Sequence, residues 1–182
     1  INDLITDKNS SILICCAGNI DKEIFQKAKF NNVTISNLDS RITGGEFSPY
    51  EYKHEDIMDL SLAENSYDYV VARDGIHHTS SPHRAVTEMY RVAKKGIICI
   101  ESRDSFIMRI LLKFGFSQEY EHAAVFYNDC KFGGVNNTEI PNYVYRWTER
   151  DIYKTISSYA PFGKHKYIFK YGTSFPTTPA EE

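Results

Sequence analysis

The sequence has 182 residues, of which 42% are hydrophobic and 14% aromatic, and its formal net charge is −3. Its length favours one globular domain over residues 1–182, and its charge argues against a nucleic-acid-binding protein, which needs a basic face. No apolar run approaches the roughly 20 residues of a membrane span and no export signal opens the chain, so we expect a cytoplasmic protein.

The predicted elements of the first half alternate between short apolar strands and an amphipathic helix. Apolar runs bounded by polar residues are typical of buried parallel strands, and an Asp before an apolar stripe is typical of a helix start. Asp39 follows the second strand directly, which puts a carboxylate at the carboxyl end of that strand. The sequence predicts strands at residues 11–16, 33–38 and 67–72, a helix at 21–30 and a loop at 41–50.

The second half opens with a helix marked by Ser81-Pro82 at its start and by Lys95-Gly96 at its stop. Residues 118–146 have little regular pattern and many aromatic side chains. We interpret them as an insertion that covers a substrate, with a packed loop as the alternative. The apolar stripe of residues 106–114 is expected to face the core. The remaining predictions are a strand at 96–101, helices at 105–114 and 148–159, a strand at 166–171 and a polar tail at 173–182.

Strands that alternate with helices at this spacing predict an α/β domain, with a mostly parallel sheet and helices on both faces. Asp39 lies about 20 residues past the first turn, the spacing of a carboxylate that binds a ribose. The Gly-rich turn itself is reduced to Gly18, with Cys16 and Ile20 at the other two positions. Ile20 would obstruct a pyrophosphate, which argues against NAD and favours a nucleoside ligand without phosphates.

Several segments between about residues 11 and 105 resemble, in order and spacing, the class I S-adenosylmethionine-dependent methyltransferases. They are similar in particular to the small-molecule type with a methyltransferase domain 11. Residues 12–20 resemble the family's first motif, Asp39 its ribose-binding acid and Asp56-Ile57 its adenine contacts. Residues 60–72 are similar to the family's "L-P-F-x-D-N-S-F-D-V-V" stretch. Residues 76–78 are similar to its "L-H-H" segment and residues 88–96 to its "E-x-x-R-V-L-K-P-G-G".

The resemblance implies a Rossmann-like methyltransferase fold, S-adenosylmethionine as the cofactor and methylation of a small molecule, such as a sugar, a glycan precursor or another metabolite. The sequence stops soon after residue 171, so the family's last strand is either missing or the sheet is shorter than usual. The residues implied in cofactor binding are Cys16, Ala17, Gly18, Asn19, Asp39, Ser40, Asp56, Ile57, Ala72 and Arg73.

Two adjacent histidines, His77 and His78, follow the strand at 67–72, at the expected mouth of the site. Either could be the catalytic base that takes a proton from the acceptor, and a packed or hydrogen-bonded histidine is the alternative. We expect no metal site, because adjacent histidines rarely point to one ion and there is no C-x-x-C. The candidates for acceptor binding are Glu101, Tyr120, His122 and Tyr127.

A rival hypothesis is a catalytically impaired, methyltransferase-like binding or assembly module. It is favoured by the departures from the family pattern at Ile14, Cys16 and Ile20, and by the missing Pro and second Gly after Lys95. A third, an NAD-linked enzyme, fits Asp39 but leaves Asp56 and the later motifs unexplained. The oligomeric state cannot be predicted from the sequence.

Overall fold

The structure, a computed structural model, describes residues 1–172, so the tail predicted at 173–182 lies outside the described residues. Five parallel strands form one sheet in the order β3-β2-β1-β4-β5. The strands are β1 Ile12–Cys15, β2 Val33–Asn37, β3 Glu51–His54, β4 Tyr67–Arg73 and β5 Ala93–Ile100. The helices are α1 Asn19–Lys27, α2 Pro82–Val92, α3 Phe106–Lys113, α4 His122–Phe126 and α5 Glu149–Tyr159.

Hydrophobic residues cover both faces of the central strands, which is why β1 is continuously apolar and β4 contains a buried apolar run at residues 70–72. Successive side chains of a strand point to opposite faces. Leu13 and Val70 therefore pack in one core with α2 and α5, whereas Ile14 and Val71 pack in a second core that includes Phe25 of α1. The predicted α/β fold with a parallel sheet is confirmed.

The strand predicted at 166–171 is wrong, because these residues have no backbone pairing with the sheet. Aromatic contacts hold the segment instead. The Tyr167 ring lies 5.7 Å from that of Tyr153 on α5, and His165 is hydrogen-bonded to the Tyr90 hydroxyl of α2 (2.9 Å). The alternation of aromatic residues in this segment therefore reflects side-chain packing on two helices. Within the described residues, β5 is the edge of the sheet.

Two further elements differ from expectation. β3 was not predicted, since an exposed edge strand of four residues carries no apolar signal. The stripe on α3 was expected in the core, but Phe106 is 78% and Ile107 69% exposed. A helix that buries none of its residues is not held by the hydrophobic core. In the part of the chain that the structure describes, no helix has both the length and the apolar character needed to cross a bilayer.

Candidate functional site

A cavity of about 260 Å³ lies at the carboxyl ends of β1, β2 and β4, where open α/β sheets bind ligands. Its inner wall comes from the loops that follow the strands, and its outer wall comes from residues 118–146. The loops contribute Cys16, Asn37, Leu38, Asp39, Arg41, Asp56, Ile57, Asp74, Gly75, His78 and Thr79, and the insertion contributes Ala124, Asn128, Gly133, Gly134, Asn136 and Asn137.

The carboxylate of Asp39 is held by its near neighbour Arg41. Arg41 Nε donates to Asp39 Oδ1 (2.9 Å) and Nη2 donates to Oδ2 (2.6 Å), a two-pronged contact. The hydrogen bonds from Arg41 hold the pKa of Asp39 below its usual range. Arg41 also donates to Asn128 Oδ1 (3.1 Å) and lies over the Phe132 ring. Asp39 is therefore ionised, and Arg41 joins it to the insertion.

Asp56 lies in a turn whose geometry its own side chain helps to fix. Asp56 Oδ1 accepts a hydrogen bond from the backbone N–H of Met58 (2.8 Å), an arrangement typical of an Asx turn. The neighbouring Glu55 is buried and accepts from the N–H and the hydroxyl of Ser61 (2.9 and 2.6 Å). With Ile57 buried, the loop presents Asp56 to the cavity from a fixed backbone.

Two motif residues of α2 hold the other end of this loop. Arg91 donates to the carbonyl oxygens of Leu60 (2.8 Å) and Leu62 (2.7 Å) and pairs with Glu88 (2.7 Å). Glu88 accepts in turn from the Leu60 N–H (3.2 Å). The segment at 88–92 that resembles the family motif therefore acts on the loop after β3 and contacts no part of the cavity.

The turn after β1 is tightly packed at Cys16. This residue has a positive φ of 53°, a conformation that favours glycine. A side chain at Gly75, across the gap between β1 and β4, would collide with the Cys16 side chain. Burial raises the pKa of the Cys16 thiol well above its ordinary value, so the thiol is neutral. The two strand ends are thus in direct contact at the floor of the cavity.

A partly buried ion pair lies beside this turn. Asp21 of α1 accepts from the Gly18 N–H (3.0 Å) and from Arg73 Nε (2.8 Å). The pair ties the first turn of α1 to the end of β4 and uses the carboxylate that caps the helix. Ile20, which was expected to obstruct a phosphate, is 64% exposed and does not line the cavity.

The structure distributes the sequence-predicted cofactor residues over four environments. Four of them line the cavity, namely Cys16, Asp39, Asp56 and Ile57. The others lie beside it. Ala17 and Ala72 are in the hydrophobic core, Gly18 and Arg73 belong to the Asp21 network, and Asn19 and Ser40 are exposed.

His77 and His78 lie next to the cavity with their ring centroids 4.6 Å apart. Glu101, whose side chain is 3% exposed, accepts from His77 Nδ1 (2.8 Å) and from the N–H groups of Gly75 and Ile76. Glu121 of the insertion lies 3.4 Å from His77 Nε2 and 3.2 Å from His78 Nε2. These four side chains form the polar cluster of the site.

The electrostatics of the two histidines differ. Burial lowers the pKa of His77, but the contacts with Glu101 and Glu121 outweigh it, and the net pKa is raised. For His78, burial and the neighbouring His77 lower the pKa. Burial raises the pKa of Glu121, but Asn142 and the histidines outweigh it, and the net pKa is lowered. Of the two rings, His77 therefore takes up a proton more readily than His78.

Of the predicted acceptor residues, Glu101 alone is in the polar cluster. Tyr120 is 48% exposed and packs against Tyr143, His122 is exposed and Tyr127 is 81% exposed. None of these three lines the cavity. Glu121, which lies between Tyr120 and His122 in sequence, belongs to the cluster and was not among the predicted residues.

Comparison with known proteins is consistent with this geometry. A family described as "Methyltransferase domain" matches residues 15–100. Curated relatives named demethylmenaquinone methyltransferase are 28% identical over 93 residues in Bacillus velezensis and 26% identical over 108 residues in Listeria monocytogenes. These alignments cover 50% and 52% of this chain, and 37% and 46% of the relatives. The chain spans less than half the length of these relatives.

Solved structures share the fold. The YcgJ protein of Bacillus subtilis superposes with a TM-score of 0.56 at 13% identity, over 84% of this chain and 62% of that one. A protein of Thermotoga maritima described as an S-adenosylmethionine-dependent methyltransferase, possible histamine N-methyltransferase, gives 0.52 at 17% identity, over 83% and 63%. At these identities the likeness establishes a common fold.

Proposed function

We propose that this chain, a class I methyltransferase by its fold and its matched domain, binds S-adenosylmethionine in the cavity and methylates a small molecule. One observation carries the proposal. Asp39 and Asp56, which follow different strands, line the same cavity at the carboxyl edge of the sheet. The family resemblance assigns these carboxylates to the ribose and to the adenine of the cofactor.

The residues around the cavity suit such a ligand. Asp39 offers an ionised carboxylate to a ribose diol, and one oxygen of Asp56 remains for an adenine amino group once the other accepts from Met58. Cys16 and Ile57 supply an apolar surface between them. The cofactor, when bound, supplies a methyl group on a positively charged sulfur, so the protein has only to align an acceptor with it.

Residues 118–146 support the proposal that the chain methylates a small molecule. Asn128, Gly133 and Asn137 of this insertion line the cavity opposite the strand ends, so a ligand beneath them is shielded from water. The acceptor must also lose a proton, and the polar cluster of His77, His78, Glu101 and Glu121 lies beside the cavity to receive it. We assign acceptor activation to this cluster.

We propose two classes of acceptor. Sugars or other hydroxylated metabolites suit the amide groups of Asn128, Asn136 and Asn137. The curated relatives are named demethylmenaquinone methyltransferase, and a flat quinone ring would suit Phe132 of the insertion, whose ring packs against the cavity residue Arg41. A methylation assay that offers both kinds of acceptor decides between them.

A second candidate function, a binding module that has lost catalysis, is favoured by the contacts of Asp39. Both of its oxygens accept hydrogen bonds from Arg41, and the cavity of about 260 Å³ lies below the roughly 300–1,000 Å³ usual for ligand pockets. If this arrangement persists in solution, the protein cannot accept a ribose.

Isothermal titration calorimetry with S-adenosylmethionine and with its demethylated product tests the proposal. We expect saturable binding by the natural sequence and at least tenfold weaker binding by Asp39→Ala and by Asp56→Ala. Asp59→Ala is the matched control, because Asp59 belongs to the Asp56 loop but its side chain is 81% exposed. Absence of binding at millimolar ligand would overturn the proposal and leave the binding module.

A further inference from the structure

The histidine pair and Glu121, to which acceptor activation is assigned above, also bring together the atoms of a metal-ligand set. One ligand atom from each of His77, His78 and Glu121 lies within 4.8 Å of the other two. The His77 side chain is 7% exposed, and those of His78 and Glu121 are 29% and 37% exposed. The group is therefore partly enclosed and has one side toward the cavity that His78 lines.

The outer nitrogen of each ring is fixed by an acceptor. His78 Nδ1 lies 3.1 Å from the carbonyl oxygen of Gly133. A carbonyl can only accept, so this nitrogen carries the proton. His77 Nδ1 lies 2.8 Å from Glu101 Oε2, a carboxylate oxygen, and donates in the same way. In each neutral ring, Nε2 is then left with a lone pair.

Both Nε2 atoms face one oxygen of Glu121. His77 Nε2 lies 3.4 Å and His78 Nε2 3.2 Å from Glu121 Oε2. With both rings neutral, two nitrogen lone pairs face a carboxylate oxygen whose donor is the Asn142 amide (3.1 Å), and neither ring supplies a proton to its own contact with Glu121. A proton on one ring would serve one of these contacts and leave the other unmet. A cation among the three atoms would serve all of them.

We propose that His77, His78 and Glu121 bind a divalent metal ion of the zinc type. Zinc bonds to His nitrogen and carboxylate oxygen of about 2.0–2.2 Å, arranged tetrahedrally, place neighbouring ligand atoms about 3.3–3.5 Å apart. The two nitrogen-to-oxygen distances of 3.4 and 3.2 Å agree with that spacing. Two imidazoles and one carboxylate are a common ligand set of catalytic zinc, which keeps its fourth position open.

The surroundings of the histidines match those of metal ligands. A ligating histidine almost always donates its other N–H to a carboxylate or to a backbone carbonyl, which fixes the ring and its tautomer. Glu101 does this for His77 and Gly133 for His78. The adjacency of His77 and His78 in sequence is accommodated because the residues form a short helical turn, Ile76–His78, at the end of β4.

An ion at this position would contribute chemistry beside the cavity. It would lower the pKa of an acceptor hydroxyl held at the open position and so favour its deprotonation. The metal site does not rest on the proposed function, since the three ligands are present whether or not the chain transfers methyl groups. Metal binding and S-adenosylmethionine binding can therefore fail separately.

Titration of the chelator-treated protein with Zn²⁺ by calorimetry and with Co²⁺ by visible absorption, both without S-adenosylmethionine, tests the site. We expect one equivalent to bind, with Co²⁺ bands of a low-coordinate site. His78→Ala and Glu121→Gln should each weaken binding by ten- to a hundredfold. The glutamine keeps an acceptor for Asn142, whose amide donates to Glu121 (3.1 Å), so this variant tests ligation with the fold preserved.

The matched control is His122→Ala, which removes an exposed histidine next to Glu121 in sequence and should leave both titrations unchanged. Circular dichroism establishes that each variant is folded. The inference is overturned if the natural sequence shows no saturable equivalent, or if His78→Ala and Glu121→Gln bind Zn²⁺ as the natural sequence does, which would place the ion on surface histidines.

Discussion

The two sides of the cavity are held by contacts that differ greatly in sequence separation. On the nucleoside side, Asp39 is bound by Arg41 and Asp56 by Met58, in each case two residues along the chain. On the histidine side, the partners of His77 and His78 are 24 to 55 residues away. The first side is fixed by local turns, whereas the second exists only when β4, β5 and the insertion have come together.

The largest effect is expected from a change at Glu101, on the histidine side of the cavity. Glu101→Ala removes the acceptor of two backbone N–H groups and of His77, and leaves them buried without a partner. We expect a loss of about 3–5 kcal/mol in the free energy of unfolding, measured by urea denaturation followed by circular dichroism.

The matched control for that variant is Glu23→Ala. Glu23 also pairs with a basic side chain, that of Lys27, but its own side chain is 61% exposed. Its loss should cost less than about 0.5 kcal/mol. Equal effects of the two variants would show that Glu101 does not hold the turn at the end of β4.

An intermediate effect is expected at the contact between the two sides, where Gly75 meets Cys16. Gly75→Ala forces a Cβ against the Cys16 side chain and should cost about 1–3 kcal/mol of unfolding free energy. Adding Cys16→Gly removes both the obstacle and the strain of a side chain at positive φ, so the double variant should recover most of that loss.

Gly18→Ala is the control for the steric argument, since a Cβ at Gly18 meets no atom within 4 Å. It should destabilise the protein less than Gly75→Ala does. Thermal or urea unfolding of the four proteins decides the matter, and a double variant no more stable than Gly75→Ala would rule out the proposed contact.

The smallest effect is expected on the nucleoside side, at the contact between Arg41 and Asp39. Arg41→Ala should return the pKa of Asp39 from its lowered value to the ordinary range near about 3.9, as followed by NMR titration of the carboxyl group. A lowered folded pKa stabilises the protein above the unfolded pKa, and this contribution is lost as the pH falls through the folded value.

The stability of the natural sequence should therefore exceed that of Arg41→Ala at neutral pH, and the difference should close as the pH falls through the lowered pKa of Asp39. Denaturation at several pH values measures it. An unchanged Asp39 pKa in the variant would mean that Arg41 is not its partner in solution.

The range of the contacts also explains what the sequence could predict. The apolar runs of β1, β2 and β4 fix the strands, and the spacing from β1 to Asp39 places that carboxylate at the sheet edge with Asp56. Both inferences need only the order of neighbouring residues. They would survive changes in the rest of the chain.

Glu121 could not be found in this way. It lies in a segment without periodic pattern, and its partners His77 and His78 are more than 40 residues earlier. The segment at 166–171 was misassigned for a related reason. Alternating aromatic residues suit a strand, but contacts of Tyr167 and His165 with side chains of α5 and α2 decide its course.

Arg41 connects the two sides, because the guanidinium that binds Asp39 also contacts Asn128 and Phe132 of the insertion. Any ligand that takes both oxygens of Asp39 must first displace Arg41, and with it one attachment of the insertion. Ligand binding and loosening of the cover are then a single linked equilibrium, in which the free energy of the Arg41 contacts is subtracted from the affinity. In the unliganded protein, Arg41 thus competes with a ligand for the Asp39 carboxylate.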